Sequence, residues 1–161
     1  MIIRAEAGES FKVGPLNFEV PEGWIKVTPS SPMRNAQLEV ARGQDKAEVT
    51  FFHFGGGSGT AADNVARWFG QFPASEANRK TETAEVGGTK ITYATTEGTF
   101  SSGMTAGPSA PMPGYALCGA IIATPAGDVY VKMVGPAALV KSSCDALKEM
   151  ASDAAKAPAS L

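Results

Sequence analysis

Residues 115–123, Tyr-Ala-Leu-Cys-Gly-Ala-Ile-Ile-Ala, are apolar at odd and even positions alike and lie between Gly114 and the turn-forming Pro125, Gly127 and Asp128. A strand with one wet face alternates polar and apolar residues, so a short run that is apolar at both parities is a strand covered on both sides. The chain must therefore build one layer above and one below a single sheet. Its 161 residues, 43% of them hydrophobic, are enough for one such core in one domain. Residues 1–161 read as that domain, with residues 1–10 and 156–161 as flexible ends.

The segments around this strand supply the layers. Residues 16–20 alternate, and the Pro21-Glu22-Gly23 turn leads into residues 24–27, which predicts a hairpin. Residues 37–41 alternate again, and a Gly43-Gln44-Asp45 turn precedes the β-branched and aromatic run 48–54. From Thr60 the period becomes helical, with Ala61, Val65, Trp68, Phe69 and Phe72 on one stripe and Pro73 at the stop. Gly87-Gly88 joins runs 80–86 and 89–99 as a tight hairpin. Residues 129–134 form the strand after 115–123, and Gly135-Pro136 opens a last helix with Val140, Cys144, Leu147, Ala151 and Ala154 along one side. There is no β-α-β alternation, so the class is α+β, a three-layer α/β/α sandwich around a central antiparallel sheet.

Several function classes are excluded. With 14 basic and 16 acidic residues the net charge is −2, which leaves no basic excess for nucleic acid. No apolar run approaches the roughly 18 residues of a membrane span, and the first ten residues lack a signal-peptide hydrophobic region. The two cysteines, Cys118 and Cys144, have no second ligand at zinc or redox-motif spacing, and His53 is the only histidine. No metal or cofactor is expected. The cysteines read as two reduced, buried thiols or as one bridge between strand and last helix, the thiols being the favoured reading. By parity His53 shares a face with Val49 and Phe51, which suits a structural histidine better than a base. No nucleophile elbow, zinc-protease motif or calcium loop is present, so the chain reads as non-catalytic.

Two loops are candidate sites. Gly56, Gly57, Ser58, Gly59 and Thr60 join a strand to a helix N-terminus, a geometry that can hold an anion, although the Lys of a nucleotide loop is missing. Residues 101–114 are uncharged, rich in Gly and Pro, and longer than most loops; Met104, Pro108, Pro111, Met112 and Pro113 are its candidate partner contacts.

The first-strand ending Phe18-Glu19-Val20-Pro21-Glu22-Gly23-Trp24, the strand-Gly-helix passage through Trp68, the Val86-Gly87-Gly88 hairpin and the Val134-Gly135-Pro136 entry to the last helix together resemble PsbP-like proteins, over about residues 11–155. That resemblance implies an α/β/α sandwich and a binding or assembly role rather than catalysis. Members include an extrinsic subunit of the photosynthetic oxygen-evolving complex, a Ran-binding nuclear import factor, and bacterial periplasmic or lipid-anchored proteins; this chain is nearest the uncharacterised bacterial ones. No functional motif of the family carries over onto residues here. The expectation is a protein-binding module of the bacterial periplasm or cell envelope whose leader is absent from this chain, with a cytoplasmic location as the alternative. The alternative function is a small-ligand or anion-binding protein, or a weak hydrolase, working around residues 55–60.

Overall fold

The computed structural model describes residues 10–14, 16–21, 23–27, 36–53, 61–72, 78–100, 112–124 and 127–156. Among these the strands are β1 (Ser10–Val13), β2 (Leu16–Glu19), β3 (Ile25–Val27), β4 (Ala36–Arg42), β5 (Asp45–His53), β6 (Lys80–Val86), β7 (Thr89–Phe100), β8 (Met112–Ile122) and β9 (Val129–Pro136). The helices are α1 (Ala61–Gly70), between β5 and β6, and α2 (Ala137–Lys156), after β9. Strands β3 to β9 form one sheet in the order β3-β4-β5-β9-β8-β7-β6, and every neighbouring pair is antiparallel. The expected sandwich is therefore present.

Parity sorts the side chains of β8 between two cores. Ala116, Cys118, Ala120 and Ile122 face one way, into a core completed by Val129, Val131 and Met133 of β9 and Leu139, Val140, Leu147, Met150 and Ala151 of α2. Leu117 and Ile121 face the other way, towards Val65, Trp68, Phe69 and Phe72 at α1. This is the two-sided burial that the 115–123 run requires.

The predicted pairing of residues 16–20 with 24–27 is corrected. β2 pairs with β1, with Phe18 opposite Phe11, while β3 pairs with β4 at the sheet edge. The turn itself forms, with the Trp24 N–H donating to the Pro21 carbonyl at 3.1 Å, but it carries the chain from one layer to another. The β1–β2 ribbon earns its place through burial, as a two-stranded ribbon is marginal alone. Phe11 and Phe18 pack edge-on against Phe51 of β5 at 5.0 and 5.1 Å between ring centroids. Gly14, at φ +56°, makes the turn beneath His53; a Cβ there would come within 2.9 Å of the imidazole ring. His53 thus shares the face of Val49 and Phe51, as parity predicts. The two-residue Gly87-Gly88 turn has φ of 57° and 82°, the left-handed pair a tight hairpin demands.

Cys118 and Cys144 form a disulfide with Cα atoms 5.9 Å apart. The favoured reading of two reduced thiols is overturned, because α2 lays Cys144 directly over β8, a juxtaposition that a 26-residue separation does not reveal. On the opposite face the next residue, Gly119, admits Trp68: a Cβ at 119 would lie 2.5 Å from Cζ3 of the indole. Gly119→Ala is expected to displace that ring and to destabilise the protein by about 1–3 kcal/mol in denaturant titration. An unchanged midpoint would show that α1 is not seated by this notch.

Tyr93 of β7 donates its hydroxyl to the Lys148 carbonyl of α2 at 3.4 Å. Burial, and secondarily the charge of Glu82, raises its pKa above the ordinary 10.0. The unfolded tyrosine ionises first, so this contribution is complete below about pH 10 and is lost as pH rises through the folded value. The wild-type thermal midpoint should fall more steeply above pH 10 than that of Tyr93→Phe; parallel curves would refute the coupling.

Candidate functional site

The two predicted loops leave opposite ends of the sheet. His53, the last residue of β5, pairs with Val129, whereas Tyr115 of β8 pairs with Pro136 at the far end of the same β9. Gly56, Gly57, Ser58, Gly59 and Thr60, which follow His53, lie outside the described residues. So do Met104, Pro108 and Pro111. Met112 and Pro113 are corrected from loop to strand, since β8 begins at Met112, which pairs with Phe100 across a bulge near Gly98; Pro113 is exposed.

At this end, on the α1 face, the sheet carries a cleft of about 310 Å³. Its floor is made by alternate residues of three adjacent strands: Glu39 of β4, Glu48 and Thr50 of β5, and Lys132 and Val134 of β9. Its wall is aromatic. Phe100, at the end of β7, stacks on Tyr115 of β8 with ring centroids 6.1 Å apart and planes 14° from parallel, and Phe72 backs Phe100 at 5.3 Å. Phe72 is fully buried, while Phe100 and Tyr115 are half-buried. The aromatic pair therefore brackets the 101–111 segment and faces the cleft.

Glu39 and Glu48 are direct cross-strand partners, so two carboxylates sit side by side on one face. Like charges in that register oppose pairing. Each has a compensating neighbour: Lys46 Nζ lies 3.7 Å from Glu39, and the Gln37 amide donates to Glu48 at 2.9 Å. Lys132 reaches the Gln71 side chain just beyond α1, and Thr50 donates to the Lys132 carbonyl at 3.4 Å. Arg79 fixes the same region by donating to the Phe69 and Phe72 carbonyls at 3.1 and 3.3 Å while covering the Phe69 ring. That places a cation at a helix C-terminus, where the dipole favours it.

Sequence reasoning missed this cleft because its residues come from separate strands. A signal existed only for the aromatics, which flank the unusual uncharged segment. Among the described residues, no three His, Cys, Asp or Glu side chains converge as a metal site, and no helix is long and apolar enough to cross a membrane.

Compared with solved structures, the chain is similar to cyanobacterial PsbP (CyanoP) from Synechocystis sp. PCC 6803, with a TM-score of 0.54 and 15% identity over 91% of this chain and 92% of that one. The fold is PsbP-like. The chain also aligns with a Pseudomonas aeruginosa protein of unknown function at a TM-score of 0.43 and 14% identity, covering 92% of this chain and 95% of that one. No protein-family model and no curated protein matches the sequence. At such identities the PsbP-like likeness concerns the backbone, and the cleft must be read from its own residues.

Lys46→Met removes the ammonium that lies 3.7 Å from Glu39 and leaves both carboxylates in register. We expect it to destabilise the protein by about 0.2–1 kcal/mol at low ionic strength, with the loss shrinking as salt screens the charges. Equal stability of the two proteins at low salt would show that Lys46 does not compensate the pair.

Proposed function

We propose that this protein is a non-catalytic binding module that docks a protein partner on the α1 face, at the end of the sheet where β7 and β8 meet. The observation that carries this reading is the half-buried Phe100–Tyr115 stack, set beside a charged cleft. Aromatic groups that are large, rigid and partly wet are the usual anchors of protein interfaces, while surrounding charges tune partner choice and encounter rate. Met104, Pro108, Pro111, Met112 and Pro113 belong to the same contact surface in this reading. Their segment begins and ends at the aromatic pair, and methionines adapt to varied apolar partners.

We place the module outside the cytoplasm, in a bacterial periplasm or cell envelope. The Cys118–Cys144 disulfide supports that compartment, since reducing cytosol keeps such thiols apart. The PsbP-like fold supports a binding role over catalysis by analogy alone.

The test is capture from a cell-envelope extract of the source organism with three baits: wild type, Phe100→Ser/Tyr115→Ser, and a deletion of residues 105–111 that spares β8. One protein should be enriched by the wild type and lost about tenfold or more with both variants, corresponding to at least about 1.4 kcal/mol of binding, while thermal midpoints stay within a few degrees. Equal capture by all three baits would sink the reading.

A further inference from the structure

A second cavity, of about 430 Å³, lies on the opposite face of the sheet, between the first half of α2 and strands β6 to β8. Both members of the disulfide line it. Cys118, on β8, is 1% exposed, whereas Cys144, on α2, is half-buried and so is the sulfur-bearing residue nearer solvent. The rim carries Lys80, Lys141 and Glu97; Lys141 Nζ pairs with Glu97 at 3.0 Å, and these two side chains are 64% and 41% exposed. Asn78 donates to the Glu97 backbone carbonyl at 3.1 Å, which holds the rim to β7. Two ammonium groups against one carboxylate leave the groove attractive to anions. Its volume falls in the range of about 300–1,000 Å³ typical of small-molecule sites.

A disulfide buried in a core opens only when the protein unfolds. One that forms the wall of a groove is open to direct attack, because thiol–disulfide exchange is limited by access to sulfur and by the supply of thiolate. We propose that this groove is a thiol-exchange site, at which a small thiol bearing carboxylates, of the glutathione class, opens the Cys118–Cys144 bridge within the folded protein. The incoming thiolate forms a bond to Cys144 Sγ as the Sγ–Sγ bond breaks, and Cys118 leaves as a thiolate that takes up the proton the small thiol gave to solvent on ionising. A second thiolate then attacks the outer sulfur of the mixed disulfide, releasing the small-molecule disulfide and the Cys144 thiolate. Two small thiols are oxidised and one protein disulfide is reduced. Lys80 and Lys141 attract the carboxylates, and Cys144 is the residue modified. With the bridge open, the first half of α2 is held by the packing of Leu139 and Val140. This site is independent of the partner surface, which lies across the sheet.

The experiment treats the folded, oxidised protein with reduced glutathione, quenches by alkylation and locates adducts by peptide mass. Opening should be first order in glutathione, insensitive to denaturant below the unfolding transition, and accompanied by a mixed disulfide on Cys144. Lys80→Glu, which leaves the Lys141–Glu97 pair intact, and Lys141→Glu should each slow glutathione by about 3- to 10-fold relative to uncharged 2-mercaptoethanol. Opening at a rate that matches global unfolding and ignores thiol concentration would overturn the proposal. An adduct confined to Cys118, or equal slowing of both thiols, would overturn it as well.

Discussion

Consecutive residues of β8 secure the two outer layers by different means. Cys118 ties α2 covalently to one face of the sheet, and Gly119 leaves the notch into which Trp68 of α1 drops on the other. On the loop-closure account, a bridge across 26 residues contributes about 3.5 kcal/mol by restricting the unfolded chain. The Trp68 contact contributes only through burial and shape. The α2 layer is also broader, since the β1–β2 ribbon joins it through Phe11 and Phe18. Among the described residues the two layers therefore differ: one is stapled and continuous, while the other is a ten-residue helix seated by an aromatic plug. The cleft lies beyond the end of that short helix, where the sheet face carries Glu39, Glu48 and Lys132.

The sequence made the sheet legible wherever burial and periodicity agreed. Alternation marked β4, β-branched and aromatic residues marked β5, two-sided apolar character marked β8, and the Gly87-Gly88 turn marked β6–β7 because few other residues tolerate those dihedrals. It misled where a correct local signal had a different partner. Pro21 to Trp24 does turn, yet which strand β2 pairs with depends on β1, whose first residue, Ser10, lies in the stretch read as a flexible end. A turn motif specifies a change of direction and says nothing about layers. The cysteines were ambiguous for a similar reason, because the distance between them is set by how α2 crosses β8. Spacing along the chain does not encode that crossing.

The candidate site was less legible than the fold. Composition drew attention to two loops, and the structure shows that the strands leading into them end at opposite ends of the sheet. The cleft is a product of register: Glu39 faces Glu48, Glu48 faces Val134, and Val134 faces Leu117, which brings residues from β4 to β9 onto one surface. Only Phe100 and Tyr115 had a visible signal, as aromatics placed at the two roots of an uncharged segment. Asn64 is another long-range product, buried at 2% exposure with its amide donating to the Tyr130 hydroxyl at 3.0 Å, where helical periodicity alone assigns a polar residue to the surface.

The sheet edges narrow how a partner can dock. β3 is three residues long, too short to template an added strand, and β6 exposes Lys80, Glu82 and Glu85 along its length. Short edges and alternating charges are the standard devices against strand addition. Backbone pairing at the edges is thus disfavoured, which leaves the faces. The α2 face is largely occupied by the helix and the β1–β2 ribbon, whereas the α1 face ends in half-buried aromatics beside a cross-strand carboxylate pair. A partner seated there would exclude water from Phe100 and Tyr115 and gain affinity from their burial. A cationic group brought by the partner would add to the compensation that Lys46 and Gln37 give the Glu39–Glu48 pair. Charge would then govern which partner is accepted, and aromatic burial how tightly it is held.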